Sequence, residues 1–232
     1  MHGKRKTVGV IGGLGPMATV YFLELLTSRK KAQCDQDHLQ VYTASIPQTP
    51  DRTAFILGES NQNPLPYMLE AGEKLISIGA DFLAIPCVTA QHFQKDLQEN
   101  LQVPVLSMCH EVALELERRK AKNVAILATN GTLKSRLLQQ EIESRDIAVL
   151  YPGEADQEQV MYIIYEQIKK GIRPDIESIQ KIGKRLYSQG AELIILGCTE
   201  LSLLKKEGLT GEEYLDVLDV LADRVIHLAQ GS

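Results

Sequence analysis

Short apolar runs alternate along this chain with longer stretches in which apolar residues recur every three or four positions. The run Thr7–Ile11 (TVGVI) is rich in β-branched residues and ends at glycines, which is typical of a buried strand. The stretch Met17–Lys31 instead places Ala18, Tyr21 and Leu25 on one face of a helix. The opening of the chain therefore predicts a strand, a glycine turn and a helix.

The same alternation continues to the end of the chain. Further strands are predicted at 39–46, 81–85, 103–107, 124–128, 148–150 and 193–196. Further helices are predicted at 65–78, 90–100, 111–120, 134–145, 157–170, 176–189 and 211–229. Strands that alternate with helices predict an α/β fold with parallel sheets covered by helices. Strand 124–128 is apolar throughout, as a strand covered on both faces must be.

The chain also contains an internal repeat. A Gly-Ala pair, an acidic residue, an apolar strand and a small turn residue precede both Cys87 and Cys198, which lie 111 positions apart. The segments 6–11 and 122–127 also resemble each other. We therefore expect two pseudo-symmetric, Rossmann-like lobes, each a parallel sheet flanked by helices. The first would comprise 1–104 with a returning C-terminal helix in 210–232, and the second 105–209.

Each of the two matched cysteines ends a strand. Ligands of open α/β sheets bind at the carboxyl ends of strands, so we expect an active site in the cleft between the lobes, with Cys87 facing Cys198. The helices predicted after them, at 90–100 and 200–206, would lower the pKa of both thiols through free N–H groups and the helix dipole. Two such thiols could take a proton from one face of a carbon and return one to the other. That reaction inverts a stereocentre without a cofactor.

The remaining cysteines and histidines are assigned no chemistry. Cys34 and Cys109 are interpreted as small apolar residues, and His92 and His110 as surface residues on helices. The sequence has no C-x-x-C pair and five histidines, so no metal site is expected.

Composition narrows the range of partners. With a net charge of −5, no tryptophan and 5% aromatic residues, the chain is not expected to bind nucleic acid. Its apolar runs are far shorter than the ~20 residues that cross a bilayer, so no membrane is expected. The basic start at 1–6 leads into an apolar run that Gly12 and Gly13 interrupt. This pattern predicts no secretory signal and a cytoplasmic location.

Three motifs resemble those of the cofactor-independent aspartate/glutamate racemases. They are Gly12–Thr19 (GGLGPMAT), Pro47–Thr53 (PQTPDRT) and Gly197–Leu201 (GCTEL). The Asp-Ser pair that opens the glycine motif of the glutamate racemases is absent, so the resemblance is to the aspartate racemase branch. It implies a homodimer without cofactor or metal that racemises a small acidic amino acid, aspartate before glutamate.

The resemblance also implies roles for individual residues. Cys87 and Cys198 would be the acid/base thiols, and Arg52 and Lys169 would bind substrate carboxylates, with the neighbouring Lys170 as an alternative to Lys169. The remaining substrate-binding candidates lie in the matching motifs, beside the cysteines or in the loop that follows strand 124–128: Gly13, Thr89, Thr129, Thr132, Thr199 and Glu200.

One motif departs from the family. The family typically has P-C-N-T-A-H where this chain has Pro86–Gln91 (PCVTAQ), so that Val88 replaces an amide and Gln91 replaces a histidine. Both thiols are retained, but the departure leaves the substrate and the rate open.

Three other interpretations stay open at this point. Residues 13–18 fit the G-x-G-x-x-[GA] pattern of dinucleotide binding, although strand 39–46 ends without the acidic residue that would hold a ribose. Maleate isomerases, arylmalonate decarboxylases and hydantoin racemases resemble the same two-lobed plan with cysteines. A degenerate amino-acid-binding protein would explain Val88 and Gln91, but it would not explain why both thiols are present.

Overall fold

The apolar runs form two parallel sheets in a computed structural model that describes residues 5–231. In the first sheet, β1 (Val8–Gly12) lies between β2 (Val41–Ser45) and β3 (Phe82–Ala84). The second sheet has the order β5-β4-β6-β7. Its strands are β4 (Asn123–Leu127), β5 (Ala148–Leu150), β6 (Leu193–Leu196) and β7 (Tyr214–Asp216). The expected α/β fold is therefore confirmed. The basic residues 1–4 lie outside the described part of the chain.

Ten α-helices cover these sheets within residues 5–231. They are α1 (Pro16–Arg29), α2 (Arg52–Leu57), α3 (Leu65–Ser77), α4 (Gln94–Asn100), α5 (Met108–Arg118), α6 (Asn130–Ser135), α7 (Leu137–Glu143), α8 (Glu154–Tyr162), α9 (Ile176–Ser188) and α10 (Val217–Ala229). Short 3₁₀ helices lie at Asp35–Asp37, Thr89–Phe93, Ile168–Lys170 and Leu201–Lys205, and a π-helix at Ile163–Gln167. No helix in this range is long and apolar enough to cross a membrane.

Helices α1, α5, α7 and α10 pack together and join the two halves of the chain. Helix α10 lies against α1 and α5, and α5 in turn lies against α7. Arg29 of α1 donates from Nε to Asp223 of α10 at 2.9 Å, and Arg224 of α10 donates to Glu111 of α5 at 3.1 Å. The C-terminal elements therefore do not belong to the first half alone, since β7 pairs with β6 in the second sheet while α10 contacts both α1 and α5.

Several predicted elements differ from the structure. The predicted helix at 211–229 contains β7, which was missed because its residues Tyr-Leu-Asp form no apolar run. The predicted strand at 103–107 is reduced to one bridge between Leu83 and Val105. The predicted helix at 134–145 is two helices that meet at Arg136, whose φ of 56° is left-handed. The predicted helices at 90–100 and 200–206 both begin as 3₁₀ turns, which matters for the thiols beside them.

Candidate active site

Both matched cysteines lie at the carboxyl ends of strands and face one cavity. Cys87 follows β3, and Cys198 follows β6. The two halves approach closely here, since a Cβ on Gly131 would come within 2.7 Å of the Thr53 Cα. The cavity is lined by Leu14, Asp51, Arg52, Thr53, Cys87, Val88, Thr89, Thr129, Tyr165, Lys169, Cys198, Thr199 and Glu200.

The cavity between the thiols is nearly closed, because its room of about 10 Å³ is what a single water molecule needs. A wider pocket of about 420 Å³ adjoins it and shares Asp51, Arg52, Lys169 and Glu200 with it. These four charged residues therefore stand at the boundary between an outer pocket and the thiols. An amino acid that reaches the thiols must pass them and move the two halves apart.

The expected lowering of both thiol pKa values is wrong. Burial raises the pKa of the Cys87 thiol, and burial together with the Glu200 carboxylate raises the pKa of the Cys198 thiol. The N–H groups that begin the following turns do act in the expected direction: that of Ala90 lowers the pKa of Cys87, and that of Glu200 lowers the pKa of Cys198. They are outweighed because both side chains are at least 95% buried, and burial disfavours the charged form.

The two thiols have neighbours of opposite charge. The Arg52 guanidinium lowers the pKa of Cys87 against the effect of burial, so it favours the thiolate there. The Cys198 thiol instead donates to Glu200 Oε2 at 3.0 Å, and that carboxylate favours the protonated thiol. Glu200 is 5% exposed, and its other oxygen, Oε1, has no hydrogen-bond partner.

Arg52 is held rigidly beside Cys87. Its guanidinium donates to the carbonyl oxygens of Leu14 at 3.0 Å, Thr49 at 3.2 Å and Pro50 at 2.9 Å, while its Nε has no partner. Asp51 caps α2 by accepting from the Ala54 N–H at 2.9 Å, which places Arg52 on the first turn of a helix that the hydrophobic pattern did not predict. The side chain is thus oriented before any substrate arrives.

The structure distinguishes the two adjacent lysines. Lys169 faces the cavity, with its Nζ 3.7 Å from Asp51 Oδ2, 3.9 Å from Glu200 Oε1 and 4.2 Å from the centre of the Tyr165 ring. Lys170 pairs with Glu166 outside the cavity. Burial lowers the pKa of Lys169, but Glu200 and the other neighbours outweigh it, so the net shift is upward and the amine stays charged.

A π-helix brings Tyr165 and Lys169 to the same side. The turn Ile163–Gln167 winds more widely than an α-helix, and Tyr165 within it donates to the Asp51 carboxylate at 3.3 Å. Asp51, Thr53 and Tyr165 were not singled out from the sequence. Asp51 and Thr53 flank Arg52 in the PQTPDRT motif, and Tyr165 precedes Lys169 by four positions, which were the available signals.

Hydroxyl groups from both halves meet in the cavity wall. Thr89 Oγ1 lies 3.2 Å from Thr129 Oγ1 and 2.9 Å from Thr132 Oγ1, and Thr53 donates to Thr129 at 3.3 Å. Thr89, Thr129 and Thr199 line the cavity, whereas Thr132 lies behind it and supports Thr129. Of the predicted threonines, three therefore line the cavity, and Thr132 is hydrogen-bonded to two of them from behind.

Gly13 and Gln91 both lie outside the cavity between the thiols. Gly13 lines the outer pocket only, and its N–H donates to Thr19 Oγ1 at 2.8 Å, so the N–H is not available to an anion. Its left-handed φ of 85° instead allows the chain to pass Ile46, whose nitrogen would lie 2.5 Å from an added Cβ. Gln91 is turned away from the cavity, and its Oε1 accepts from the Met108 N–H at 2.9 Å. Val88, in contrast, lines the cavity as expected.

The other cysteines lie elsewhere. Cys34 is exposed, and Cys109 is buried near the start of α5, where burial raises its pKa to about 12. Within residues 5–231 there is no group of three or more His, Cys, Asp or Glu side chains placed to hold a metal ion.

Comparison with known proteins places this geometry in a family. The Asp/Glu/hydantoin racemase family model matches residues 11–225. The chain belongs to this family. Membership confirms the resemblance found in the motifs and makes the chain an isomerase of the racemase class. Hydantoin racemases are covered by the same family description, so membership alone does not choose the substrate.

Several relatives resemble this racemase over almost their whole length. The aspartate racemase of Picrophilus torridus is 30% identical, with a TM-score of 0.84 over 97% of this chain and 94% of that one. An aspartate racemase homologue from Pyrococcus horikoshii OT3 is 28% identical, with a TM-score of 0.78 over 97% and 99%. The broad specificity amino-acid racemase RacX of Bacillus subtilis (strain 168) is 25% identical over 84% of this chain and 86% of its own.

Proposed function

We propose that this racemase interconverts the enantiomers of a small acidic amino acid, aspartate first and glutamate second, by acid/base catalysis between Cys87 and Cys198. The observation that carries the proposal is that two buried thiols from matching positions of the repeat line one cavity. The 30% identity to an aspartate racemase supports aspartate as the first choice.

In the proposed reaction, protons and charge balance without any other group. One cysteine, as thiolate, takes the α-proton, so that a C–H bond breaks and an S–H bond forms. The other cysteine, as thiol, then gives its proton to the opposite face of the α-carbon. The reverse reaction exchanges the two roles, and exchange with water resets the thiols. Burial raises the pKa of both thiols, but Arg52 opposes that effect at Cys87 whereas Glu200 adds to it at Cys198, so we assign Cys87 as the thiol that loses its proton first.

Charged groups at the cavity match those of an acidic amino acid. Lys169 and Arg52 are assigned to carboxylates, since both stay cationic beside the thiols. Glu200 is assigned to the α-ammonium group because its Oε1 is buried and accepts no hydrogen bond, with only the Lys169 amine near it at 3.9 Å. The hydroxyls of Thr89, Thr129 and Thr199 are assigned to the α-carboxylate, whose charge must be stabilised as the α-carbon loses its proton.

A broader substrate range is the second candidate, and Val88 favours it. An isopropyl group cannot donate a hydrogen bond, so the Cys87 side of the cavity has one donor fewer than the family motif implies. The RacX relative is itself named a broad specificity amino-acid racemase. A cytoplasmic homodimer is proposed as well, on the family resemblance.

The experiment is a proton NMR screen of L- and D-amino acids with the enzyme in D₂O. We expect the Cα–H signal of aspartate to disappear from both enantiomers while the opposite enantiomer forms. Activity should survive EDTA and hydroxylamine, which remove metal ions and pyridoxal phosphate. Binding of aspartate without exchange would contradict the proposal and favour a binding protein, and loss with either reagent would contradict the two-thiol mechanism.

A further inference from the structure

In each half, a buried side chain four residues after the cysteine anchors the following turn by a hydrogen bond to another part of the chain. Gln91 lies four residues after Cys87, and Ser202 lies four residues after Cys198. Both side chains are in 3₁₀ helices and are at most 2% exposed. Neither lines the cavity, so neither touches a substrate between the thiols.

Each of the two side chains forms a hydrogen bond with the start of a helix that lies later in the chain, α5 for Gln91 and α10 for Ser202. Gln91 Oε1 accepts from the N–H of Met108, the first residue of α5, at 2.9 Å. Ser202 Oγ donates at 2.6 Å to Oδ1 of Asp216, the residue that caps α10 and accepts from the Leu218 N–H. The segments that lead into these helices also match, since Val105 bridges to β3 and β7 pairs with β6.

Gln91 and Ser202 each belong to the backbone turn that follows a thiol. Beyond Cys198, the Leu201 N–H donates to the Cys198 carbonyl at 2.9 Å and the Leu203 N–H donates to the Glu200 carbonyl at 3.1 Å. Ser202 sits between these two bonds. Beyond Cys87, the Gln91 N–H itself donates to the Val88 carbonyl at 2.9 Å. A displacement of Gln91 therefore moves the backbone next to Cys87, and a displacement of Ser202 moves the backbone next to Cys198.

The Ser202 contact uses a carboxylate that is costly to bury. Asp216 is 2% exposed, its Oδ2 has no hydrogen-bond partner, and Lys205 Nζ stays 3.6 Å away while pairing with Asp219. A buried carboxylate with an unpaired oxygen lowers the stability of the fold. A role in holding the turn after Cys198 would explain why this costly group is present.

We propose that Gln91 and the Ser202–Asp216 pair are positioning residues, each of which fixes the turn behind one thiol and sets the rate of proton transfer at that thiol. The proposal rests on the proposed two-thiol function. A 1 Å displacement of a catalytic group costs on the order of 100-fold in rate, so loss of one anchor should slow its own thiol by about 10- to 100-fold.

The experiment first assigns one enantiomer to each thiol. In D₂O, Cys87→Ser should exchange the α-proton of only the enantiomer that Cys198 serves, and Cys198→Ser that of only the other. Absence of such a division would contradict the proposed function itself, before any anchor is changed.

With that assignment, Ser202→Ala and Gln91→Leu are compared in otherwise wild-type enzyme. We expect the α-deuterium isotope effect to rise, and the rate of α-proton loss to fall about 10- to 100-fold, for the Cys198 enantiomer in Ser202→Ala and for the Cys87 enantiomer in Gln91→Leu. Each variant is the matched control of the other. Equal losses for both enantiomers, or no loss, would overturn the proposal.

Two further variants keep the test independent of folding. Asp216→Asn retains an acceptor oxygen for Ser202 and a helix cap. It should therefore keep the wild-type ratio of α-proton loss between the two enantiomers, which Ser202→Ala and Asp216→Ala should change. Asp219→Ala removes the other partner of Lys205 without touching Ser202 and should leave the ratio between enantiomers unchanged. If Asp216→Ala does not fold, Ser202→Ala and Asp216→Asn still decide the question.

Discussion

The two halves place their cysteines alike but surround them differently. Cys87 and Cys198 both follow a strand, come shortly before a 3₁₀ helix and are buried. Arg52 stands beside the first and favours its thiolate, whereas Glu200 accepts a hydrogen bond from the second and favours its thiol. The repeated backbone thus fixes where the thiols lie, and side chains that are not repeated give each thiol a different neighbouring charge.

The largest effect is expected from the thiols themselves. Cys87→Ser and Cys198→Ser should each lower the racemisation rate by several orders of magnitude, because a hydroxyl is a far weaker base than a thiolate near neutral pH. Steady-state racemisation, followed by optical rotation, measures this. Cys34→Ser and Cys109→Ser are the matched controls and should be close to wild type. Near-normal turnover in either of the first two variants would remove that thiol from the mechanism.

Arg52→Ala removes the cation on the Cys87 side only. A charge-assisted bond to a carboxylate contributes about 1.5–3 kcal/mol, so kcat/KM for aspartate should fall about 10- to 150-fold more than that for alanine. The pKa of Cys87 should also rise, since the charge that opposed burial is gone, and the acidic limb of the pH–rate profile should move to higher pH. Equal losses for aspartate and alanine would leave Arg52 with a structural role, through its three carbonyl contacts.

Val88→Asn sharpens the comparison by adding a donor beside Cys87. One carboxylate–amide bond contributes about 1–3 kcal/mol, of which only the part strengthened in the transition state raises kcat. We expect kcat/KM for aspartate to rise about tenfold. A neutral or harmful effect on every acidic amino acid tested would mean that the cavity is built for another substrate. Adding Gln91→His is not expected to raise kcat/KM further, because that side chain bonds to the start of α5 and not to the cavity.

Glu200→Gln tests the Cys198 side through the position of the pH–rate profile. Burial raises the pKa of Cys198 first and the Glu200 charge second, so the neutral amide should lower that pKa. Cys198 then loses its proton sooner as pH rises, and the alkaline limb of kcat/KM should move to lower pH. The exposed Glu207→Gln is the control and should leave the limb in place. A shift to higher pH in Glu200→Gln would contradict the assigned charges.

The sequence predicted the features that depend on a local hydrophobic pattern and missed those that depend on short or irregular elements. The strands that lead to Cys87 and Cys198 lie in uninterrupted apolar runs, at 82–85 and 193–196, so the hydrophobic pattern was enough to find them and the repeat was enough to match them. Lys169 could not be told from Lys170, because the choice depends on a π-turn that breaks the helical period. Strand β7 was missed because its residues, Tyr214–Asp216, form no apolar run, and Asp51 and Thr53 were missed because α2 has only six residues.

The direction of the thiol pKa shifts could not be predicted at all. The N–H groups that begin each turn are local, and the sequence indicated them correctly for Ala90 and Glu200. Burial is a property of the assembled cavity, and it reverses the sign. The hydrogen bond of Gln91 could not be predicted either, because its partner Met108 lies 17 positions away, in α5.

The central claim is that two thiols on opposite faces of one carbon share the reaction, and proton exchange tests it most directly. Wild-type enzyme, Cys87→Ser and Cys198→Ser are each incubated in D₂O with L-aspartate and with D-aspartate, and loss of the Cα–H signal is followed by NMR. The account predicts exchange of both enantiomers by the wild type and of opposite single enantiomers by the two variants. Exchange of the same enantiomer by both variants, or of both enantiomers by either, would contradict it.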